Sequence, residues 1–242
     1  MGILKICLVM TCLLHIQNSA YAKALDVVSS DLASPLTTNA KYIFIPGILA
    51  TSLAYFTRNN DRYTQRETFD EAQPLGDFGF LGEYIGYGVL NITYVGVNYW
   101  LAQKYNDEKA LKRAEIMARA SIYSSGLTMI GKLSINERRP GFPDDKNSFP
   151  SGHASGAFSF ASVIAAEHGW GWGGAAYGLA GFIAVSRIND DFHYLHDVLA
   201  GITIGASFGW GVHYNAERGS RLWMTLIPVE DKGLGFALGT SF

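Results

Sequence analysis

The strongest constraint on this chain is a succession of long, weakly apolar runs separated by short charged or glycine-rich breaks. The runs cover 42–56 ("YIFIPGILATSLAYF"), 78–105, 114–135, 151–167, 171–187 and 196–214. Strands in globular domains are usually about five or six residues long, so runs of this length, rich in Ala, Leu, Ile and Gly, suit helices. Small residues recur at four-residue spacing: Gly152 and Gly156, Ala157 and Ala161, Gly201 and Gly205. That spacing lets helix backbones approach closely. The expectation is an all-α fold, a six-helix bundle forming a single domain over 41–242 with its core at 78–216. "WGWGG" (170–174) reads as a turn between the fourth and fifth runs. In the tail, "WMTLIPV" and "LGFALGTSF" flank "EDKG" and read as a short C-terminal β-hairpin.

Composition narrows the partners. A chain of 242 residues with 48% hydrophobic content can bury a sizeable core, and its net charge of −2 offers no basic excess for nucleic acid. A mean hydropathy of +0.10 is high for a soluble protein and low for a polytopic membrane protein. Residues 1–22 carry Lys5, the apolar stretch "ICLVMTCLLHI" and the small-residue end "NSAYA". This is the pattern of a secretory signal peptide cleaved after Ala22. It places the protein in a bacterial cell envelope on the periplasmic side, either soluble or membrane-associated through an apolar rim. Residues 23–40 read as a flexible lead-in. Both cysteines, Cys7 and Cys12, fall in the signal segment. The mature chain then has no thiol for a disulfide, a zinc–cysteine site or a nucleophile.

Three clusters carry chemistry. In "KLSINERRP", Lys132 and Arg139 are seven positions apart, a spacing that puts them on one face if the helix continues to Pro140. Alone, this is also an ordinary basic helix end. In "PSGH", Ser151 reads as an N-cap, and Gly152 would let an anion approach the exposed N–H groups of the helix start. His153 falls in the first turn beside that position; an ordinary cap with a surface histidine is the plainer alternative. In "SRINDDFHYLHD", Arg187 is followed by His193 and Asp197, four apart and on one face if helical. A carboxylate there can hold one imidazole nitrogen and leave the other as base or nucleophile. With His196 nearby, the same cluster has the composition of a metal site. Glu83, within an apolar run, reads as a satisfied core carboxylate.

Taken together, the clusters resemble the type-2 phosphatidic acid phosphatase superfamily, which spans lipid phosphatases, class A acid phosphatases and vanadium haloperoxidases. The family pattern is Lys-x6-Arg-Pro, then Pro-Ser-Gly-His, then Ser-Arg-x5-His-x3-Asp, and this chain matches each position and spacing over roughly 78–214. The resemblance implies His193 as nucleophile forming a phosphohistidine, Asp197 as its orienting partner and His153 as the proton donor to the leaving oxygen. It implies that Lys132, Arg139, Arg187, Ser151 and Gly152 bind phosphate oxygens. No cofactor or metal is expected, because three side-chain cations supply the positive charge that phosphoryl transfer needs. The "HDVLAG" ending and small-residue helices resemble the lipid-phosphatase branch. The expected substrates are phosphorylated lipids such as phosphatidic acid, phosphatidylglycerol phosphate, polyprenyl diphosphate or lipid A. A soluble broad-specificity acid phosphatase acting on small phosphate esters and a vanadate-dependent haloperoxidase are the alternatives.

Overall fold

The computed structural model describes residues 23–58, 73–86 and 88–219, and the backbone of 223–229 and 233–239. The signal peptide expected at 1–22 lies outside the described residues. From 23 to 217 the described regular structure is helical: α1 (23–37), α2 (Lys41–Thr57), α3 (Gly79–Gly86), α4 (Val89–Tyr105), α5 (Glu108–Ile135), α6 (Gly152–His168), α7 (Trp170–Asn189) and α8 (Leu195–Glu217). A single 3-10 turn, Gly76–Phe78, leads into α3. Beyond them, β1 (Trp223–Val229) and β2 (Gly233–Gly239) pair antiparallel with Leu226 opposite Phe236.

The all-α expectation holds for this helical body, but eight described helices replace the expected six. The segment read as a flexible lead-in is helix α1, and a buried ion pair fixes it. Arg119 of α5 meets the Asp31 carboxylate at 2.7 Å, and Asn215 of α8 donates to the same carboxylate at 3.1 Å. The run at 78–105 is two helices, because Gly88 takes φ 78°, a left-handed conformation that ends one helix and starts the next. "WGWGG" is no turn either. The chain reverses at Gly169 alone (φ 81°), and 170–174 is the beginning of α7.

The core lies between α5, α6, α7 and α8, where Ile116, Met117, Val163, Ile183 and Val212 are fully enclosed. Helices α6 and α8 approach most closely through the small residues of α8. A Cβ added at Gly201 would lie 2.4 Å from the Ser151 carbonyl oxygen, and one at Gly205 would lie 2.1 Å from that of Ser155. Helix α2 packs on α8 where Gly47 meets Thr203, yet none of its residues is buried. No described helix is long and apolar enough to cross a membrane.

Candidate active site

The α6–α8 crossing sets the site, because it brings the start of α6 beside the start of α8. Ser151 caps α6, its Oγ accepting the Ala154 N–H at 3.5 Å, while its own N–H donates to the Asp197 carbonyl at 3.0 Å. Gly152 and His153 therefore occupy the first turn of α6. A Cβ on Gly152 would stand 4.0 Å from Lys132 Cε, so the lysine lies across this helix start.

Lys132 sits in the last turn of α5 and donates to the Asn147 carbonyl. Burial, reinforced by the neighbouring Arg139 charge, lowers its pKa to about 8. The expectation that Lys132 and Arg139 share a helical face is overturned. The helix ends at Ile135, and Asn136 turns left-handed at φ 52°. Arg139 lies in the following loop, held to Asp145 through its backbone N–H (3.0 Å to the carbonyl) and its Nε (2.9 Å to Oδ2). Arg187, buried in the last turn of α7, faces Glu83 at 3.7 Å and Asp190 at 3.5 Å. The Phe192 ring lies 5.3 Å from the Arg139 guanidinium and 5.0 Å from that of Arg187, so one aromatic surface orients both.

His193 precedes α8 rather than sharing a helical face with Asp197. Its backbone N–H donates to the Arg187 carbonyl at 3.1 Å, coupling the imidazole to the cation beside it. Asp197, in the first turn of α8, reaches back toward it. Asp197 Oδ2 stands 3.7 Å from His193 Nδ1, an electrostatic contact rather than a hydrogen bond. The same oxygen accepts from Ser148 Oγ at 2.6 Å and from the Tyr194 N–H at 2.8 Å. Burial drives the His193 pKa down, Lys132 and Arg139 push the same way, and Asp197 opposes them. Burial disfavours charge on Asp197 as well, but the hydrogen bonds and histidine charges around it prevail and hold its carboxyl below the usual range.

His153 faces this pair from α6. Its Nε2 lies 3.2 Å from the Glu83 carbonyl oxygen, a group that only accepts, so Nε2 carries the hydrogen. Burial, then the charges of Arg187 and His193, bring its pKa to about 4. These interactions gather His193, His153, Asp197, Lys132, Arg139, Arg187, Ser151 and Gly152 at one end of the bundle. A cleft of about 390 Å³ adjoins them, lined by Gln73, Phe80, Glu83, Asp190, Asp191 and Phe192.

Several contributors escaped the sequence reading. Glu83 is a partner of Arg187 with a side chain 32% exposed, not a core carboxylate. Ser148 and Phe192 gave no signal, since a loop serine and a loop phenylalanine have no spacing that marks them. Candidate metal-ligating atoms of Glu137, His196 and Asp197 lie within 4.8 Å of one another. The Arg58 guanidinium already brings positive charge there, 2.6 Å from Glu137 Oε1 and 3.3 Å from His196 Nε2.

Comparison with known proteins adds three likenesses. Residues 103–221 match the family model described as the PAP2 superfamily. A Lipid A 1-phosphatase of Porphyromonas gingivalis is 36% identical over 88 residues, covering 35% of this chain and 19% of that relative. The match thus spans about a fifth of the curated relative's length. Among solved structures, Aquifex aeolicus LpxE aligns with a TM-score of 0.48 and 20% identity over 68% of this chain and 93% of that one. A transmembrane PAP2 type phosphatidylglycerolphosphate phosphatase from Bacillus subtilis aligns with a TM-score of 0.38 and 19% identity, over 81% of this chain and 96% of that one.

Proposed function

We propose, from the match of residues 103–221 to the PAP2 superfamily model, that this chain is a metal-independent phosphatase of that superfamily acting on phosphomonoester or diphosphate groups of lipids through a phosphohistidine. The observation that carries the reading is the buried His193, backed by Asp197, electrostatically coupled to Lys132 and Arg139, and tied through its backbone N–H to the Arg187 carbonyl.

His193 Nε2 attacks phosphorus, and the bond to the leaving oxygen breaks as His153 gives that oxygen a proton. Asp197 holds Nδ1 and stabilises the positive charge the ring gains. Water then attacks the phosphohistidine with His153 taking its proton, releasing phosphate and restoring both rings. Lys132, Arg139 and Arg187 surround the non-bridging oxygens, with Ser151 and the Gly152 N–H at the helix start. A pKa near 4 leaves His153 neutral at pH 7 in the free protein. A phosphate dianion placed beside it opposes the Arg187 and His193 charges and raises that value, so substrate binding is what makes the ring an acid.

Two observations support a lipid. The relative carrying the name Lipid A 1-phosphatase shares 36% of aligned residues. A largely apolar cleft of about 330 Å³, lined by Phe44, Ile48, Leu127, Phe149, Pro150 and Ile204, lies against the two residues preceding Ser151. We place the protein on the periplasmic side of a bacterial envelope, membrane-associated through exposed apolar side chains.

Phosphate release from lipid A, phosphatidic acid, polyprenyl diphosphate and p-nitrophenyl phosphate, with His193→Ala as blank, tests the reading. Turnover of at least one lipid phosphate, unaffected by chelator, is expected. Turnover of p-nitrophenyl phosphate alone would select a soluble acid phosphatase. Activity lost in chelator and restored by a divalent ion would overturn the metal-independent mechanism.

A further inference from the structure

The geometry points to His196 as a positioning residue that fixes the Asp197 carboxylate through the oxygen that His193 does not face. The inference rests on the reading that Asp197 serves a nucleophilic His193.

Asp197 is fully buried, and its Oδ2 is occupied by Ser148, the Tyr194 N–H and the approach of His193. Its other oxygen, Oδ1, meets His196 Nε2 at 3.2 Å. The same nitrogen stands 2.9 Å from Glu137 Oε2. Glu137 Oε2 is the hydrogen-bond acceptor for this nitrogen, which therefore carries the hydrogen, and Asp197 Oδ1 stands beside it as an electrostatic contact, with Arg58 Nη1 approaching the same nitrogen at 3.3 Å. Glu137 is itself held by Arg58 at 2.6 Å. A chain of alternating charge preference therefore runs from Arg58 through Glu137 and His196 to Asp197 and ends at His193.

The His196 ring is immobilised. It is 1% exposed, stacks on Tyr194 (centroids 5.4 Å apart) and Phe149 (6.0 Å), and meets the Tyr55 ring edge-on at 5.3 Å. Tyr55 is covered in turn by the Arg58 guanidinium at 3.8 Å. The end of α2, the loop after α5 and the start of α8 thus hold one imidazole against the carboxylate behind the nucleophile. Around this chain, Lys132, Arg139 and His153 face His193, Glu137 and Arg58 face His196, and Ser148 faces Asp197.

The test compares His196→Ala, His196→Gln, Glu137→Gln and His193→Ala with the parent protein. Turnover of dioctanoyl phosphatidic acid is measured across pH, together with thermal melting. Second-sphere partners of a reacting group, measured best at metal sites, are worth about 10–100-fold. His196→Ala should lower kcat by about tenfold or more on that scale, with KM changed by less than about twofold. Its acid limb in kcat/KM should move to higher pH, because an Asp197 deprived of its partner holds a proton on His193 more firmly. His196→Gln keeps an N–H at similar reach and should recover most of kcat; Glu137→Gln should shift the limb in the same direction by less. If His196→Ala fails to fold, the Gln variants carry the comparison. Unchanged kcat and an unmoved limb in the folded variants, whatever their melting temperatures, would overturn the role of His196. Activity in His193→Ala would instead overturn the nucleophile assignment on which that role depends.

Discussion

At the scale of single residues, the site is a problem of opposed protonation. In the proposed mechanism His193 starts neutral and His153 delivers a proton, yet burial lowers both pKa values, His153 to about 4. For the free protein this favours an acid optimum: kcat/KM rises as His193 loses its proton and falls as His153 loses its own. In the complex, phosphate raises the His153 value, so the descending limb of kcat should lie at higher pH than that of kcat/KM. Initial rates from pH 4 to 9 check this, and a flat profile would remove both histidines from these roles. His193→Ala should lose at least about 10⁴-fold in kcat, while Asp197→Asn should fall about 10³–10⁴-fold and keep a measurable trace, by analogy with other nucleophile–base–carboxylate sets. The positions of these residues were legible because the spacing of three motifs marks them. The partners that fix their geometry were not: Ser148 is 49 positions from Asp197, and Arg58 is 79 from Glu137. Separations of that kind exist only once the helices have packed.

At the scale of elements, helical content could be read from run length, but breaks and local geometry could not. Gly88 and Gly169 interrupt the chain through positive φ, a choice glycine permits but does not announce. Arg139 and His193 lie just outside helices that the spacing argument extended over them, because Asn136 ends α5 early and Tyr194 starts α8 late. The small-residue spacing proved more informative, since Gly201 and Gly205 set the α6–α8 distance on which the separation of His153 and His193 depends. Gly205→Ala puts a methyl 2.1 Å from the Ser155 carbonyl oxygen. Backbone must move, with an expected loss of about 1–3 kcal/mol in denaturant melts. A shift of about 1 Å between the histidines is worth up to about 100-fold in rate, so kcat should fall well beyond the unfolded fraction. Helix α1 is fixed differently. Asp31→Ala leaves the Arg119 guanidinium buried without its carboxylate, which should remove about 3–5 kcal/mol of stability.

At the scale of the whole molecule, the question is what covers the apolar surface. Helix α2 buries no residue, and Tyr42, Leu49, Leu53 and Phe56 stand 72%, 65%, 65% and 81% exposed. Their offsets of 7, 11 and 14 from Tyr42 put them on one stripe of the helix. Each such side chain, fully removed from water, contributes about 1.5–3 kcal/mol. The membrane association proposed above would place this stripe against lipid. The same helix ends at Arg58, which contacts Glu137, so the proposed lipid face and the site are physically joined. Replacing Leu49, Leu53 and Phe56 together by Ser should therefore reduce sedimentation with anionic phospholipid vesicles and lower turnover of vesicle-borne phosphatidic acid. Turnover of monomeric dioctanoyl phosphatidic acid should stay within about twofold, because none of the three side chains belongs to the phosphate site and a vesicle-binding surface contributes affinity for the aggregate rather than for the reacting group. Unchanged sedimentation would remove α2 as the lipid face. Equal loss on both substrates would mean that the substitutions act through the fold instead, a distinction that a melting curve of the triple variant makes directly.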